Sequence, residues 1–335
     1  MQGRNAMIRK LAGLLALLLA ASAGPVVAQG GYPNGPVKVI IPLPPGGAID
    51  VMVRAIGRAF EQRTGHGLVV ESRPGANTII AANACKAAAP DGRTICLLSS
   101  SSVSINPSLY RNLSYDPVKD FESITNLAFA DQVLVLNSKV PVNDWKELVA
   151  YSKQDPKRLN FGSFGLGGDT HLIVEWLKQQ SGANITHVPY KGAADAMLAF
   201  TANDIQLLYL IVGNMDLVRQ VNDGEVRGLL VPGARRSALI PDVPSFAEAG
   251  LTSEAADYQT WFGMFAPKGT PREMVEALNA QFSAIVRSPA FADQNLTPRG
   301  FRAVGDSPAA FAQFIAEDAR RAKVLVEQSG VRLDQ

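Results

Sequence analysis

The chain of 335 residues is 47% hydrophobic and 19% charged, and its formal net charge is +2. A hydrophobic content of this size is typical of a globular protein and excludes an intrinsically disordered chain. A surface so close to neutral argues against nucleic acid and against an anionic membrane as partners, because both select clustered lysine and arginine.

The first 28 residues have the pattern of a secretory signal peptide. Three basic residues precede an apolar run from residue 11 to about residue 20, and small residues follow. Because this run is too short to span a bilayer as a permanent helix, we predict cleavage before Gln29 and a location in the periplasm. The alternative is a retained membrane anchor, which Gly24 and Pro25 disfavour because they break the segment. The remaining chain stays near neutral and is long enough for two lobes.

In the remaining chain, short apolar runs alternate with segments of helical period. Residues 37–41 predict a strand, and the apolar spacing from 49 to 60 predicts a helix after it. Further strands are predicted at 68–70 and 94–98, and capped helix starts at Asp144, Thr270 and Ser307. Strands and helices that alternate at this spacing predict an α/β fold with a largely parallel sheet.

Two glycine-rich segments, residues 42–50 and 161–171, each lie where a predicted strand ends and a helix begins. The first turn of a helix leaves backbone N–H groups unpaired beside the positive end of the helix dipole, and glycine lets a ligand approach the main chain closely. In open α/β sheets, ligands bind beyond the carboxyl ends of the strands. The two segments therefore predict two sides of one cleft that holds an anion.

Cys85 and Cys96 are the only cysteines, and an oxidising compartment would permit them to pair. They lie in a helix-like run and in the strand-like run that follows it, joined by a turn at 90–92. Their Cα separation cannot be read from sequence, so a disulfide and two buried thiols stand as equal alternatives. Two cysteines alone lack the ligand number of a metal site.

The signatures of enzymes are incomplete in both glycine-rich segments. A nucleophile elbow centred on Ser163 would need glycine where Phe161 stands. A dinucleotide fingerprint from Gly165 would need a third glycine where Thr170 stands, and no Walker lysine follows either turn. We therefore predict a binding protein with no catalytic residue, cofactor or metal, and hydrolysis through Ser163 is the weaker alternative.

An ordered set of segments resembles one protein family along nearly the whole mature chain. The segments are residues 42–50, 71–76, 91–92, 105–110, 115–121, 161–171, 187–192, 241–250 and 261–263 with 266–267. Each one is weak alone, but the set in this order resembles the substrate-binding receptors of tripartite tricarboxylate transporters, the Bug-type periplasmic solute-binding proteins.

The resemblance implies an α/β, two-lobed periplasmic binding protein of type II, a venus flytrap with its ligand cleft between the lobes. Lobe 1 would comprise residues 29–131 and 253–335, and lobe 2 residues 132–252. The cleft would bind a small organic carboxylate, and the loaded receptor would deliver it to a tripartite tricarboxylate-type membrane permease. The alternative output is a signalling sensor ectodomain. We expect a monomer, since both lobe rims must face the partner.

The resemblance also places the ligand against both glycine-rich turns. Amides of the first turn would bind one end of the ligand, and amides and hydroxyls of the second turn the other end. Asp50 would either cap its helix or accept a hydrogen bond from the ligand. The expected ligand-binding residues are Leu43, Gly46, Gly47, Ala48, Asp50, Ser100, Ser163, Phe164, Gly165, Gly167, Gly168, Thr170, His171 and Tyr190.

Four residues of these turns depart from the usual family pattern. Leu43 stands where an aromatic residue is frequent, Phe164 and Leu166 where small or polar residues are common, and Gly168 where threonine is frequent. Buried apolar ligand area contributes about 25 cal/mol per Å², whereas a lost charged hydrogen bond costs roughly 1.5–3 kcal/mol. The changes therefore favour a larger, partly apolar or aromatic acid over a small dicarboxylate.

Overall fold

The computed structural model describes residues 32–155, 159–213 and 216–333, so the predicted signal peptide lies outside the described residues. The strands are β1 (Val37–Ile41), β2 (Leu68–Ser72), β3 (Thr94–Ser99), β4 (Phe121–Ala130), β5 (Gln132–Asn137), β6 (Asn160–Ser163), β7 (Thr186–Pro189), β8 (Leu207–Ile211), β9 (Val226–Leu230), β10 (Trp261–Pro267) and β11 (Phe301–Ala303). The α-helices are α1 (Ala48–Thr64), α2 (Ile79–Lys86), α3 (Asn106–Leu109), α4 (Pro117–Asp120), α5 (Trp145–Ser152), α6 (Asp169–Ser181), α7 (Ala193–Ala202), α8 (Leu217–Asn222), α9 (Arg272–Val286), α10 (Pro289–Asn295) and α11 (Pro308–Ser329).

The strands form two separate sheets, one in each lobe. In lobe 1 the order is β11-β4-β10-β3-β1-β2, with β1 parallel to β2 and β3, and with β10 antiparallel to β3 and β4. In lobe 2 the order is β7-β6-β8-β5-β9, with β6 parallel to β7 and β8 and with β5 antiparallel to β8 and β9. The prediction of a largely parallel sheet is therefore wrong, since both sheets mix parallel and antiparallel pairs. Parallel strands place their carboxyl ends at one sheet edge, so the loops after β1, β2 and β3 lie together in lobe 1.

Apolar spacing explains how α1 packs. Ile49, Val53, Ile56 and Phe60 are all buried in the lobe 1 core, as their helical interval predicts. Gly65 ends the helix in the left-handed conformation that favours glycine at this position. Helix packing of this kind fixes the direction in which α1 points its first turn.

The sulfur atoms of Cys85 on α2 and Cys96 on β3 are joined in a disulfide, and their Cα atoms are 5.9 Å apart. Both residues are fully buried in the lobe 1 core. The bond therefore fixes α2 to the face of the strand that follows it.

The chain passes between the sheets directly from β4 to β5, at Asp131. The N–H of Asp131 donates to the Gly300 carbonyl at 2.7 Å, and its carbonyl accepts from the N–H of Val212 at 2.9 Å. A Cβ atom on Gly213 would lie 2.1 Å from the carbonyl carbon of Arg299, so the backbone of Gly213 packs directly against the backbone of Arg299. Lobe 1 and lobe 2 thus contact each other closely at the hinge.

Helix α11 packs into both lobes. Phe311 is buried with the aromatic residues of β10 in lobe 1, 5.3 Å from the ring of Trp261. Leu325 and Val326, further along the same helix, belong to the buried core of lobe 2. The division of the chain at residues 131/132 and 252/253 stays a prediction, and α11 connects the two parts.

Within the three described stretches, no helix is both long and apolar enough to cross a membrane.

Candidate functional site

The first glycine-rich turn connects β1 to α1 and presents free amides. Helix α1 starts at Ala48, and Gly47 precedes it in an extended conformation. The N–H groups of Gly47, Ala48 and Ile49 have no hydrogen-bond partner among the described residues. They lie at the positive end of a helix of 17 residues, which is where a carboxylate is stabilised.

Asp50 fixes the shape of this turn from within lobe 1. Its buried carboxylate accepts from the Gly46 N–H at 3.0 Å and from Arg54 Nε at 3.0 Å. The hydrogen bond from Arg54 lowers the pKa of the Asp50 carboxyl against the opposing effect of burial. Asp50 is therefore ionised at neutral pH. The Gly46 N–H is engaged by it, which leaves the next three amides for a ligand.

The second glycine-rich turn connects β6 to α6 and repeats the arrangement in lobe 2. Helix α6 starts at Asp169 after Gly168, which is extended like Gly47. Within the part of the chain that the structure describes, the N–H groups of Gly165, Leu166, Gly168 and Asp169 donate to no acceptor. Thr170 is turned inward, where its hydroxyl accepts from the Phe164 N–H at 3.3 Å.

The rings of Phe161, His187 and His171 stack on one another and pack beside the second turn. The rings of His171 and His187 lie 3.8 Å apart, and the ring of Phe161 stacks on His187 at 4.7 Å. His171 Nδ1 accepts from the Gly167 N–H at 3.0 Å. Burial, followed by the charges of neighbouring groups, lowers the pKa of His171 to about 3 and that of His187 to about 4. Both rings are therefore neutral at physiological pH.

The Ser163 hydroxyl is engaged in this support. Its Oγ lies 2.5 Å from His187 Nε2 and donates to the Gly165 carbonyl at 3.0 Å. Since the single hydroxyl proton goes to Gly165, the pattern assigns the proton of the His187 contact to the imidazole. A serine nucleophile needs the opposite arrangement, with histidine as acceptor. Ser163 is also fully buried, so its geometry is that of a turn-fixing residue.

The second turn is tied to the hinge through Asp169. Its carboxylate accepts from Gln132 Nε2 at 3.2 Å and from the Thr260 hydroxyl. Thr260 Oγ1 also lies 3.0 Å from Gln132 Oε1. Ser100, predicted at the edge of the cleft, is buried beside this network, where its hydroxyl accepts from the Trp261 N–H at 3.4 Å. Gln132 and Thr260 carry no sequence signal that would have revealed this role.

The two lobes contact each other on either side of the paired turns. Asn77 Nδ2 of lobe 1 donates to the Gly167 carbonyl of lobe 2 at 3.1 Å. On the other side, the Cβ position of Gly192 is 3.9 Å from Pro44 Cγ. Each glycine-rich turn therefore contacts the opposite lobe.

The apolar residues of the turns differ in exposure. Leu43 packs partly buried on the lobe 1 core, and Phe164 and Tyr190 pack partly buried on one core cluster of lobe 2. Leu166 at the tip of the second turn is 53% exposed. Leu166 is therefore the residue of this group with the most surface left for a ligand or a partner to cover.

No group of histidine, cysteine or acidic side chains that could hold a metal ion occurs in residues 32–155, 159–213 or 216–333. The unpartnered polar groups of the two turns are backbone N–H groups. Their chemistry suits an anion with several oxygen atoms.

Comparison with known proteins agrees with this architecture. The family described as "Tripartite tricarboxylate transporter family receptor" matches residues 52–331. Protein BugT of Bordetella pertussis is 32% identical over 337 residues, covering 98% of this chain and 99% of BugT. Among solved structures, an R. palustris protein with adipate has a TM-score of 0.83 at 28% identity and covers 90% of this chain and 99% of its own. MatC from Rhodopseudomonas palustris with bound malate has a TM-score of 0.79 at 27% identity, covering 88% and 100%.

The fold and the cleft define a two-lobed solute-binding protein of the periplasmic type, which confirms the predicted fold class. The chain belongs to the tripartite tricarboxylate transporter receptor family. It is a solute receptor of a transport family and not an enzyme, as the sequence predicts.

Proposed function

We propose that this receptor binds an organic carboxylate between the first and second turns and delivers it, in the periplasm, to a tripartite tricarboxylate-type permease. The observation that carries the proposal is the presence of two helix starts, α1 and α6, each with unpartnered amides, on turns that each contact the opposite lobe. Two anion-binding helix starts on opposite lobes suit a ligand that carries a carboxylate or another oxygen-rich group at each end.

Among the predicted ligand-binding residues, we propose that some contact the ligand and others hold the two turns in shape. Gly47, Ala48, Gly165 and Gly168 contact the ligand through the main chain. Asp50, Ser100, Ser163, Thr170 and His171 hold the turns in shape through the contacts described above. Gly46 and Gly167 belong with this second group because their N–H groups are engaged by Asp50 and His171.

The size of the acid is set by the side chains around the amides. Leu166 is exposed, and Phe164 and Tyr190 keep part of their surface accessible. Burying such apolar area stabilises a complex by about 25 cal/mol per Å². We therefore propose a preference for longer or aromatic acids over short dicarboxylates such as malate.

The test is a thermal-shift screen of residues 29–335, unfolded and refolded beforehand to remove any carried ligand. Adipate, malate, succinate, citrate and a set of aromatic acids are compared. A ligand at 100 times its dissociation constant stabilises the fold by about 2.7 kcal/mol, which gives a clear shift. No shift with any carboxylate contradicts the proposed function. A larger shift with malate or succinate than with any longer or aromatic acid contradicts only the proposed preference.

The partner is tested in cells. Deletion of the gene should abolish uptake of the identified acid if the receptor serves a permease. Loss of induction with normal uptake would instead favour the sensor ectodomain as partner. We propose a monomer, which light scattering of the purified receptor checks.

A further inference from the structure

The segment before α2 has an unusual backbone. Ala76, Asn77 and Thr78 have φ values of +45°, +47° and +72° in succession, after Gly75 at +120°. Asparagine tolerates this region of φ, but alanine and a β-branched threonine rarely adopt it. Such a strained stretch persists only where its surroundings determine it, and strained stretches cluster at ligand clamps and switch regions.

Hydrogen bonds from a buried polar group hold this segment. Asn106, which is fully buried, donates from Nδ2 to the Asn77 carbonyl and to the Tyr115 hydroxyl, both at 3.0 Å. Tyr115 in turn donates to the Ser102 carbonyl at 2.6 Å, and the Ser102 hydroxyl donates to Thr78 Oγ1 at 2.8 Å. This network lies entirely within lobe 1 and fixes where the Asn77 side chain points.

The Asn77 side chain leaves lobe 1 and binds the second turn of lobe 2. Its Nδ2 donates to Asn106 Oδ1 at 2.8 Å and to the Gly167 carbonyl at 3.1 Å. The Gly167 carbonyl can only accept, and Asn106 Oδ1 is the acceptor of its amide because Asn106 Nδ2 donates to the Asn77 carbonyl and to Tyr115. The orientation of the Asn77 amide is therefore determined, and both of its hydrogens are used.

Gly167 is held from both lobes at once. Its N–H donates to His171 within lobe 2, and its carbonyl accepts from Asn77 of lobe 1. Its φ is +76°, and its Cβ position lies 2.4 Å from Leu109 Cδ2 and 2.8 Å from Leu333 Cδ1, so any side chain here would strain the backbone and displace both leucines. Gly165, Leu166 and Gly168, whose amides are free, lie within two residues of this point.

We infer that Asn77 is a positioning residue of lobe 1 that sets the conformation of the ligand-binding turn of lobe 2. The lobe 2 half of the site is fully ordered only while lobe 1 contacts it. The importance of this contact for transport rests on the proposed function, but the effect of Asn77 on the second turn is a property of the ligand-free protein. Loss of the amide frees the Gly167 carbonyl and loosens the turn.

The experiment measures the rate of hydrogen–deuterium exchange of backbone amides in each segment of the ligand-free receptor. Asn77→Asp keeps the shape and places a carboxylate against two acceptors. Exchange in 161–171 of lobe 2 should become roughly two- to tenfold faster, the factor that loss of one hydrogen bond produces. The matched control is Asn83→Asp on α2, whose Nδ2 donates to the Ser114 hydroxyl at 2.7 Å within lobe 1. It should leave 161–171 unchanged.

A second variant separates positioning from folding. Asn77→Gly adopts the positive φ without strain, so lobe 1 keeps its fold while the amide is lost. It should also speed exchange in 161–171. Unchanged exchange there in both variants overturns the inference, and so does an equal increase throughout both lobes, because that would reflect general destabilisation. Failure of every carboxylate in the ligand screen would contradict the proposed function and leave this measurement intact.

Discussion

Replacing Ala48 with proline removes one amide that we propose to bind the ligand, while keeping the helix. Ala48 is the first residue of α1, and Gly47 before it is extended with ψ at 169°, which the residue preceding a proline requires. The chain already uses proline at this position in α4, α10 and α11. Since the Ala48 N–H has no partner among the described residues, the free protein should lose nothing and gain about 0.4–1 kcal/mol of stability.

The bound state should lose one charge-assisted hydrogen bond. Such a bond contributes about 1.5–3 kcal/mol, so the dissociation constant of the identified carboxylate should rise about 10- to 150-fold. Isothermal titration calorimetry measures this change, and thermal unfolding of the ligand-free protein checks the fold.

The matched control is Arg272→Pro at the first residue of α9, remote from the first and second turns. It gives up only an exposed ion pair with Glu276 and should bind as the wild type does. Unchanged affinity in a folded Ala48→Pro variant would refute the assignment of the first turn as an anion site.

Three further outcomes follow from other parts of the structure. Reducing the Cys85–Cys96 disulfide, which closes a short loop, should lower the free energy of unfolding by about 3 kcal/mol in urea titrations, and an unchanged midpoint would contradict a structural role. His171 and His187 have lowered pKa values in the folded state, so the unfolded chain binds protons first as the pH falls. The stability that these two histidines contribute is complete above pH 6.5 and is lost as the pH falls toward 4. For each histidine, the free energy of unfolding should fall by about 1.4 kcal/mol per pH unit in this range, and His187→Gln should make that dependence on pH weaker. Ala76→Gly, at an exposed position with positive φ, should raise the free energy of unfolding by about 1 kcal/mol, and a decrease would show that its backbone is unstrained.

The fold could be predicted because its signals are local. The interval of Ile49, Val53, Ile56 and Phe60 placed a helix with one buried face, and the capping residues Asp144 and Ser307 precede α5 and α11 as predicted. The cap predicted at Thr270 is wrong, because its hydroxyl donates to the Pro267 carbonyl at 2.7 Å. The two helix starts of the candidate site were likewise visible as glycine-rich turns after strands. The signal-peptide prediction concerns residues that the structure does not describe.

The sequence does not show which groups of the turns are already engaged. We predicted that Asp50 either caps its helix or contacts the ligand and that Ser163 contacts the ligand. The structure joins Asp50 to Gly46 and Arg54, and Ser163 to Gly165 and His187. Asn77 and Thr260 act on partners about 90 residues away, and no pattern in one sequence reports such a pairing. Local chemistry indicates a candidate ligand site, while contacts between distant segments decide which of its atoms remain free.

Helix α11 has a consequence for how this protein unfolds. Its first half is buried in lobe 1 through Phe311, and its second half in lobe 2 through Leu325 and Val326. Neither lobe can lose its core without exposing apolar surface that belongs to the other. The two lobes should therefore melt in a single cooperative transition, although each has its own sheet, and a chain shortened before residue 322 should melt in two.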